Sequence, residues 1–321
     1  MTGPLILALP SKGRLKEQAE DWLADCGLPV RAAGGERGYQ ARLEGLPDIE
    51  VRLLSAGEIA TGLFTGAIHL GVTGEDLLRE LSDDLEGRVM LLRALGFGRA
   101  DLVVASPKSW IDVETMADVD EVAHLYLART GRRLRVATKY LTQTRAFFAR
   151  HGIIDYRIVE SGGATEGAPA AGTAEMIADI TTTGATLEAN GLKVLPGGLI
   201  LASQAQLAAG LTSDWDAERL DLARRLMRII EARARAKGTA TLTWPVDADE
   251  AARAAVADLV TAKAASPRQF GLLIGAQSLF EVTTRLAAAD VGPVSVANPT
   301  YVFEARSAPA EALARRLKLE N

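Results

Sequence analysis

The chain has 321 residues, 48% of them hydrophobic, and its 36 basic and 41 acidic residues give a formal net charge of −5. This length allows two or three domains with sizeable cores, and the hydrophobic content is too high for a disordered chain. The negative balance argues against a general nucleic-acid-binding protein. No apolar run is long enough to span a membrane, and the first residues lack a signal-peptide pattern. The sequence therefore predicts a soluble cytoplasmic protein that binds neither nucleic acid nor membrane.

The residue inventory argues against several common kinds of site. Cys26 is the single cysteine, so no internal disulfide can form, and its position at a helix end predicts a buried apolar role. Three widely spaced histidines, His69, His124 and His151, argue against a histidine-based metal site. The sequence contains neither the dinucleotide fingerprint G-x-G-x-x-G after a strand nor the phosphate-loop motif G-x-x-x-x-G-K-[ST].

The first predicted strand and helix flank a loop with two cations. Leu5–Leu9 is an apolar run typical of a buried strand, and residues 15–25 have a helical pattern that Gly27 ends. Lys12 and Arg14 lie between them, at the carboxyl end of the strand, where ligands collect in α/β sheets. We expect them to contact phosphate. The alternative is that they are solvated surface charges, as most single Lys and Arg residues are.

A second loop of this kind follows a predicted strand at residues 67–72. Thr73, Gly74 and Asp76 combine a hydroxyl, a glycine and an acid there. His69 lies within the strand, and we expect a packed histidine rather than a catalytic one.

Further strands are predicted in the middle of the chain. Lys139 follows the strand of residues 134–138, and Glu166 follows the strand of residues 156–160. We expect a helix from Glu166 through Met176. The alternative to a ligand role for Glu166 is that of an acid at a helix start, where the helix dipole favours it.

The stretch of residues 175–192 contains the most specific candidate site. Met176–Ile180 predicts a buried strand, or the end of a helix that runs into one, and it carries one acid, Asp179. A hydroxyl-rich loop follows, made of Thr182, Thr183, Gly184, Ala185 and Thr186. The next residues suit a short helix that Gly191 ends, and a helix start with free N–H groups can hold a phosphate. The alternative is a capped turn that binds nothing.

This stretch resembles the phosphoribosyl-pyrophosphate loop of the ATP phosphoribosyltransferase family. The matching run is Asp179-Ile-Thr-Thr-Thr-Gly-Ala-Thr-Leu-Glu-Ala-Asn-Gly-Leu192. The other segments that resemble the family are Lys12-Gly-Arg-Leu15, Thr73-Gly-Glu-Asp76, Ala137-Thr-Lys-Tyr140 and residues 161–169. The family usually has aspartate where this chain has His69, and it often has arginine where this chain has Asp101; Arg99 is a candidate substitute.

The resemblance implies a reaction, its cofactor and its partners. It implies transfer of the 5-phosphoribosyl group from phosphoribosyl pyrophosphate to N1 of ATP, with release of pyrophosphate, as the first step of histidine biosynthesis. It also implies Mg²⁺ carried by the substrate without a direct protein ligand, inhibition by histidine, and a homo-oligomer, either a dimer or a hexamer. The alternative is a non-catalytic two-lobe protein that binds or senses a small molecule.

The candidate site residues form three groups. The catalytic candidates are Lys12, Arg14, Glu166 and Asp179. The candidates for binding phosphoribosyl pyrophosphate are Asp179, Thr182, Thr183, Gly184, Ala185 and Thr186. The candidates for binding ATP are Lys12, Arg14, Thr73, Gly74, Asp76 and Lys139.

The resemblance, which is to the long form of the family, also implies the architecture. It implies an α/β fold with a two-lobe catalytic core like type II periplasmic binding proteins, followed by an α+β ferredoxin-like (ACT-like) regulatory domain. We expect residues 1–97 and 194–235 to form lobe I, residues 98–193 lobe II, and residues 238–321 the regulatory domain.

Within the last unit, the pattern predicts β–α–β–α–β, with one strand between the two helices where the family has two. The strands are expected at residues 239–246, 270–276 and 294–303. The helices are expected from a cap at Asp247 to Lys263 and over residues 278–289.

Overall fold

The computed structural model describes residues 3–32, 40–82 and 84–319, and within them the chain forms three sheets. The first elements are β1 (Leu5–Pro10), α1 (Gly13–Asp25), β2 (Val30–Ala32), β3 (Gln40–Leu43), β4 (Leu46–Leu54), α2 (Ala56–Thr65), β5 (Leu70–Gly74), α3 (Glu75–Leu81) and β6 (Val89–Ala94). β1 lies between β4 and β5 and pairs parallel with both. The loops that follow β1 and β5 therefore lie at the same edge of this first sheet.

The middle of the chain forms a second sheet, with the strand order β11-β7-β10-β8-β9. Its elements are β7 (Asp101–Pro107), α4 (Met116–Thr130), β8 (Leu134–Thr138), α5 (Leu141–Arg150), β9 (Tyr156–Glu160), β10 (Met176–Thr181), α6 (Ala185–Ala189) and β11 (Leu192–Leu201). β10 runs parallel to β8 and antiparallel to β7. Because β11 pairs with β7, the chain returns to the first sheet after residue 201 rather than near residue 194.

Two crossover segments, residues 95–100 and 202–204, connect the first and second sheets. They run side by side: Ala100 N–H donates to Ser203 O at 3.1 Å, and Ala205 N–H donates to Phe97 O at 3.0 Å. The second segment leads into β12 (Ala205–Gly210), which pairs antiparallel with β5 and β6, and then into α7 (Ala217–Ala236). The two passes of the chain thus support each other at the junction.

The third sheet is antiparallel, with the order β14-β15-β13-β16. Its unit contains β13 (Thr239–Thr243), α8 (Asp249–Ala255), α9 (Ala257–Thr261), β14 (Ala265–Arg268), β15 (Gly271–Gly275), α10 (Leu279–Ala288) and β16 (Ser295–Ala297). The order β–α–β–β–α–β is that of a ferredoxin-like motif. The prediction of one strand between the helices was therefore wrong. The sequence pattern did not predict β14, because Ser266, Pro267 and Arg268 are exposed and do not alternate with apolar residues.

Three other predicted elements differ from the structure. The helix expected from Asp247 to Lys263 is a 3-10 turn followed by α8 and α9, which Val256 separates, and Ala248 precedes α8 without a side-chain cap. The strand expected over residues 294–303 is limited to β16. The helix expected through Met176 is a 3-10 turn at Thr165–Gly167, because Gly172 adopts a left-handed φ of 66° and interrupts the segment.

The last helix, α11 (Ala308–Leu317), does not belong to the core of the third sheet. Its Ala310, Leu313 and Ala314 are fully buried in the core of the first sheet, beside α7. The preceding segment is fixed to α7 and α1: Val302 N–H donates to Ala232 O at 2.9 Å, and the Tyr301 hydroxyl donates to Cys26 O at 3.1 Å. The C-terminal unit is therefore an insertion between α7 and α11, whereas the sequence had predicted one continuous domain over residues 238–321.

Several arginines of α7 pair with carboxylates of the protein itself. Arg224 pairs with Glu311, Arg225 with Asp221 and Arg233 with Asp25. Buried Cys26 at the end of α1 confirms the predicted packing role. Within the described residues, no helix has the length and apolar character needed to cross a membrane.

Shortening a buried side chain of α11 tests whether this helix packs in the core of the first sheet. We expect Leu313→Ala, at a fully buried position, to lower the free energy of unfolding by about 2–5 kcal/mol, because it removes buried methyl groups and leaves a cavity. Leu125→Ala, on the exposed face of α4 where the side chain is 50% accessible, should change it by less than about 0.5 kcal/mol. Urea denaturation measures both; equal effects would contradict the packing of α11.

Candidate active site

A cavity of about 320 Å³ lies where β10 ends. The residues that line it are Ala100, Glu166, Asp179, Ile180, Thr181, Thr182, Thr183, Thr186 and Leu187. It brings the two predicted acids together with three of the predicted threonines. A larger cavity of about 480 Å³ lies near the start of β4 and contains none of the predicted site residues.

The threonine loop is a compact turn between β10 and α6. Gly184 has a φ of 79°, which favours glycine, and a Cβ there would meet no atom within 4 Å. Gly184 N–H donates to Thr181 Oγ1 at 2.8 Å, and Ala185 N–H donates to Thr183 Oγ1 at 3.4 Å. The two N–H groups are thus occupied within the loop, while the accepting hydroxyls keep their own hydrogens. Sequence reasoning missed Thr181; the unbroken run of three threonines was the available signal.

The loop is also tied to the crossover. Thr182 Oγ1 donates to Arg99 O at 3.2 Å, and the next residue, Ala100, lines the cavity. Asp101 begins β7 opposite Thr181 in the sheet register. Arg99, the candidate substitute for the family's arginine, therefore lies against the loop through its backbone, and its side chain is exposed.

Two acids and one lysine influence one another beside the loop. Asp179 is half-buried, and its Oδ1 accepts a hydrogen bond from Ile180 N–H at 2.9 Å. Burial raises the pKa of Asp179 above its ordinary value; the Ile180 N–H and the Lys139 charge oppose this rise, and the Glu166 charge adds to it. Lys139 is exposed, with its Nζ 5.1 Å from the centre of the Tyr140 ring. The cavity wall is therefore acidic, with a cation at its rim.

Lys12 and Arg14 lie at the start of α1, at the carboxyl end of β1. Both side chains are exposed, and neither has a hydrogen bond or ion pair within residues 3–32, 40–82 and 84–319. Neither lines the cavity at β10. They are exposed cations at the strand edge that the sequence predicted, and the charge of Lys12 acts on the Glu58 carboxylate.

The second predicted loop is buried. Thr73 Oγ1 donates to Ala56 O at 2.8 Å, and both carboxylate oxygens of Asp76 accept hydrogen bonds from protein hydroxyls. A Cβ on Gly74 would collide with Asp76 Oδ1, so glycine is needed for this arrangement. The structure thus directs the side chains of Thr73 and Asp76 into the protein rather than into the cavity.

The packing of His69 confirms the structural role predicted for it. Ile6 N–H donates to Nδ1 at 3.2 Å, so Nδ1 carries no proton, and Nε2–H donates to Asp214 O at 3.1 Å. The ring stands edge-on to Trp215 at 5.1 Å between centroids. Burial lowers the pKa of His69 below its ordinary value of 6.5, and the neutral ring is the form these contacts require.

Known proteins resemble this chain over much or nearly all of its length. The family model described as ATP phosphoribosyltransferase matches residues 55–231. An ATP phosphoribosyltransferase of Caulobacter vibrioides (strain NA1000 / CB15N) is 64% identical over 318 residues and covers 99% of each chain. Another, of Rhodopseudomonas palustris (strain BisB18), is 57% identical over 236 residues, 74% of this chain and 73% of that protein. Among solved structures, an ATP phosphoribosyl transferase (HisG:HisZ) complex from Thermotoga maritima matches with a TM-score of 0.53 and 25% identity, covering 71% of this chain and 98% of that chain.

The neutral state of His69 predicts a dependence of stability on pH. The unfolded chain binds a proton at His69 near pH 6.5 and the folded chain only at lower pH, so stability falls as the pH drops below about 6.5. One proton limits this slope to about 1.4 kcal/mol per pH unit. We expect His69→Gln to reduce the loss of unfolding free energy between pH 6.5 and 5.5, while His151→Gln, at an exposed site, follows the wild type. A His69→Gln protein with the wild-type slope would refute the neutral ring.

Proposed function

The chain belongs to the ATP phosphoribosyltransferase family, and on that premise we propose that the cavity at the end of β10 is where it carries out its reaction. The enzyme is a transferase of the glycosyltransferase type that acts in the first step of histidine biosynthesis. The assignment of the site rests on one observation: the threonine loop, Asp179 and Glu166 line the same cavity.

The reaction needs alignment and charge neutralisation more than covalent chemistry. The bond from C1 of the ribose to pyrophosphate breaks, and a bond from C1 to N1 of ATP forms. As the sugar carbon becomes oxocarbenium-like, negative charge builds on the departing pyrophosphate, and positioned cations stabilise it. The exposed position of Lys12 and Arg14 at the carboxyl end of β1 supports their role in binding pyrophosphate or triphosphate oxygens. Direct displacement requires no protein nucleophile.

We propose that the threonine loop holds the 5-phosphate of phosphoribosyl pyrophosphate. Thr182, Thr183 and Thr186 line the cavity, and a Cβ on the adjacent Gly184 would meet no atom within 4 Å. Thr183 accepts a backbone N–H through its oxygen, so its own hydrogen remains available for a phosphate oxygen. Gly184 and Ala185 contribute through the close approach of their backbone.

Asp179 and Glu166 are proposed to hold the ribose hydroxyls or the waters bound to Mg²⁺. Carboxylate oxygens suit such contacts, because Mg²⁺ keeps several waters and is bound through carboxylates and substrate phosphates. Among the described residues, no group of three or more His, Cys, Asp or Glu side chains is arranged to hold a metal ion. We propose that Mg²⁺ would be held on the substrate, with Asp179 and Glu166 contacting its waters, and that it would supply neutralisation of phosphate charge.

The proposed ATP contacts divide into exposed and buried residues. Lys139, at the rim beside Asp179, remains a candidate for triphosphate oxygens. The buried side chains of Thr73 and Asp76, and Gly74 between them, support a role in shaping the strand edge rather than in touching ATP.

We propose that the first and second sheets form lobes I and II of a core like type II periplasmic binding proteins, with the chain returning to lobe I after residue 201. The third sheet would then be an ACT-like regulatory unit that binds histidine. The Thermotoga maritima chain is 98% covered while 29% of this chain lies outside the match (100 − 71), which is consistent with an added unit. Phe280 and Val246 are strongly exposed on that unit. The assembly into a dimer or hexamer stays a prediction.

The assay that tests this function is pyrophosphate release from ATP and phosphoribosyl pyrophosphate with Mg²⁺. We expect release only when both substrates are present and its loss when a chelator removes the metal, since Mg²⁺ neutralises phosphate charge. Binding of phosphoribosyl pyrophosphate without release would instead favour the two-lobe binding or sensor protein. Added histidine should lower the rate, and a rate that ignores histidine would contradict the regulatory assignment alone.

The loop assignment predicts a loss of affinity in a double variant. We expect Thr183→Val/Thr186→Val to raise the Kd for phosphoribosyl pyrophosphate at least ~100-fold, because two hydrogen bonds to a charged phosphate are lost. Thr130→Val/Thr261→Val is the matched control: each hydroxyl is exposed and donates to a carbonyl of its own helix, outside the cavity. Isothermal titration calorimetry measures the Kd of both variants. An unchanged Kd in the loop variant would show that the 5-phosphate does not bind to this loop.

A further inference from the structure

A buried carboxylate joins the two lobes next to the proposed site. Asp76, in α3 of lobe I, is 5% exposed. Its Oδ2 accepts a hydrogen bond from the Tyr140 hydroxyl of lobe II at 2.7 Å, and its Oδ1 accepts one from the Ser203 hydroxyl of the crossover at 2.8 Å. Asp76 N–H donates to Ser203 Oγ at 3.0 Å. Tyr140 is 1% exposed, so water cannot readily replace either partner.

The helices that carry these residues are aligned by further bonds. The Glu80 carboxylate of α3 accepts the N–H groups of Thr142 at 2.8 Å and Gln143 at 3.3 Å, in the first turn of α5. Gln143 Nε2 donates to Asp76 O at 2.9 Å. The N-terminus of α5 is thus capped by the other lobe, and a shift of one helix breaks bonds on both.

Both hydrogen-bond partners of Asp76 are connected to residues of the proposed site. Tyr140 follows Lys139, whose charge acts on Asp179. Ser203 O accepts Ala100 N–H at 3.1 Å, Ala100 lines the cavity, and the preceding residue, Arg99, accepts the Thr182 hydroxyl. The Asp76 carboxylate is therefore linked through Tyr140 to the neighbouring Lys139. Through Ser203 it is linked to the crossover segment that contacts the threonine loop.

We propose that Asp76, held by Tyr140 and Ser203, is a positioning residue that fixes the spacing of the two lobes and so aligns the two substrates for transfer. This inference rests on the proposed function. It acts through geometry, because reacting groups that are displaced by about 1 Å lose on the order of 100-fold in rate. Burial and the neighbouring Asp76 charge raise the pKa of Tyr140, so its hydroxyl stays a donor throughout the physiological range.

The first test is Tyr140→Phe, which keeps the ring beneath Lys139 and removes only the hydroxyl. We expect kcat for pyrophosphate release to fall about tenfold or more, with the KM values of both substrates changed by less than about threefold, since the lost effect lies in alignment. Tyr126→Phe is the matched control, because the Tyr126 hydroxyl also donates to a carboxylate, Glu175, at 3.0 Å, but entirely within lobe II. It should keep wild-type kcat.

A double variant shows whether Tyr140 acts through Asp76. Tyr140→Phe/Asp76→Asn should lose no more kcat than Asp76→Asn alone, whereas independent roles would make the losses multiply. Ser203→Thr should retain the rate, and Ser203→Ala should lose it. Multiplying losses, or a Tyr140→Phe enzyme with wild-type kcat, would overturn the proposal.

Hydrogen exchange provides a measurement that does not depend on turnover. In Tyr140→Phe we expect faster exchange at the N–H groups of Thr142, Gln143 and Gly184, and in Tyr126→Phe unchanged exchange at the same groups. Unchanged exchange in Tyr140→Phe would refute the positioning role. A wild-type protein without turnover would refute the proposed function, and the exchange result would still decide the role of Asp76.

Discussion

The two crossover segments impose the constraint on which the rest of the structure depends. The chain leaves the first sheet at residues 95–100 and returns at residues 202–204, and the two passes hydrogen-bond to each other. The ends of β1, β5, β8 and β10 carry the candidate loops around this junction. Catalysis by alignment requires that groups from separate sheets are held at a fixed spacing. A junction of two chain segments that hydrogen-bond to each other fixes this spacing.

Much of the proposed site was predictable because its signals are local. An apolar run followed by Asp179 and a hydroxyl-rich loop identifies a strand end and a tight turn within a few residues, and the structure contains β10, the turn at Gly184 and α6 in that order. The strands of Leu5–Leu9 and residues 134–138 were predictable for the same reason. Periodicity and turn chemistry act over short distances, so one sequence is enough to read them.

The features that the sequence did not reveal depend on distant partners. Asp76 looks like a ligand from its own segment, yet its carboxylate is satisfied by Tyr140 and Ser203, which are 64 and 127 positions away. β14 has no apolar alternation and is defined only by its pairing with β15. Helix α11 has an ordinary amphipathic pattern, and nothing within it indicates whether it packs on the third sheet or the first. In each case the deciding contact lies outside any local window.

The position of α11 changes how the C-terminal unit relates to the catalytic lobe. A domain appended at one end can move or unfold without affecting its neighbour, whereas an inserted domain is held at both ends. Here α7 leads into β13, and the chain returns through a segment in which Tyr301 contacts the end of α1, before α11 completes the core beside α7. The opposite end of α1 carries Lys12 and Arg14. The inserted unit and the two exposed candidate cations are thus attached to opposite ends of one helix.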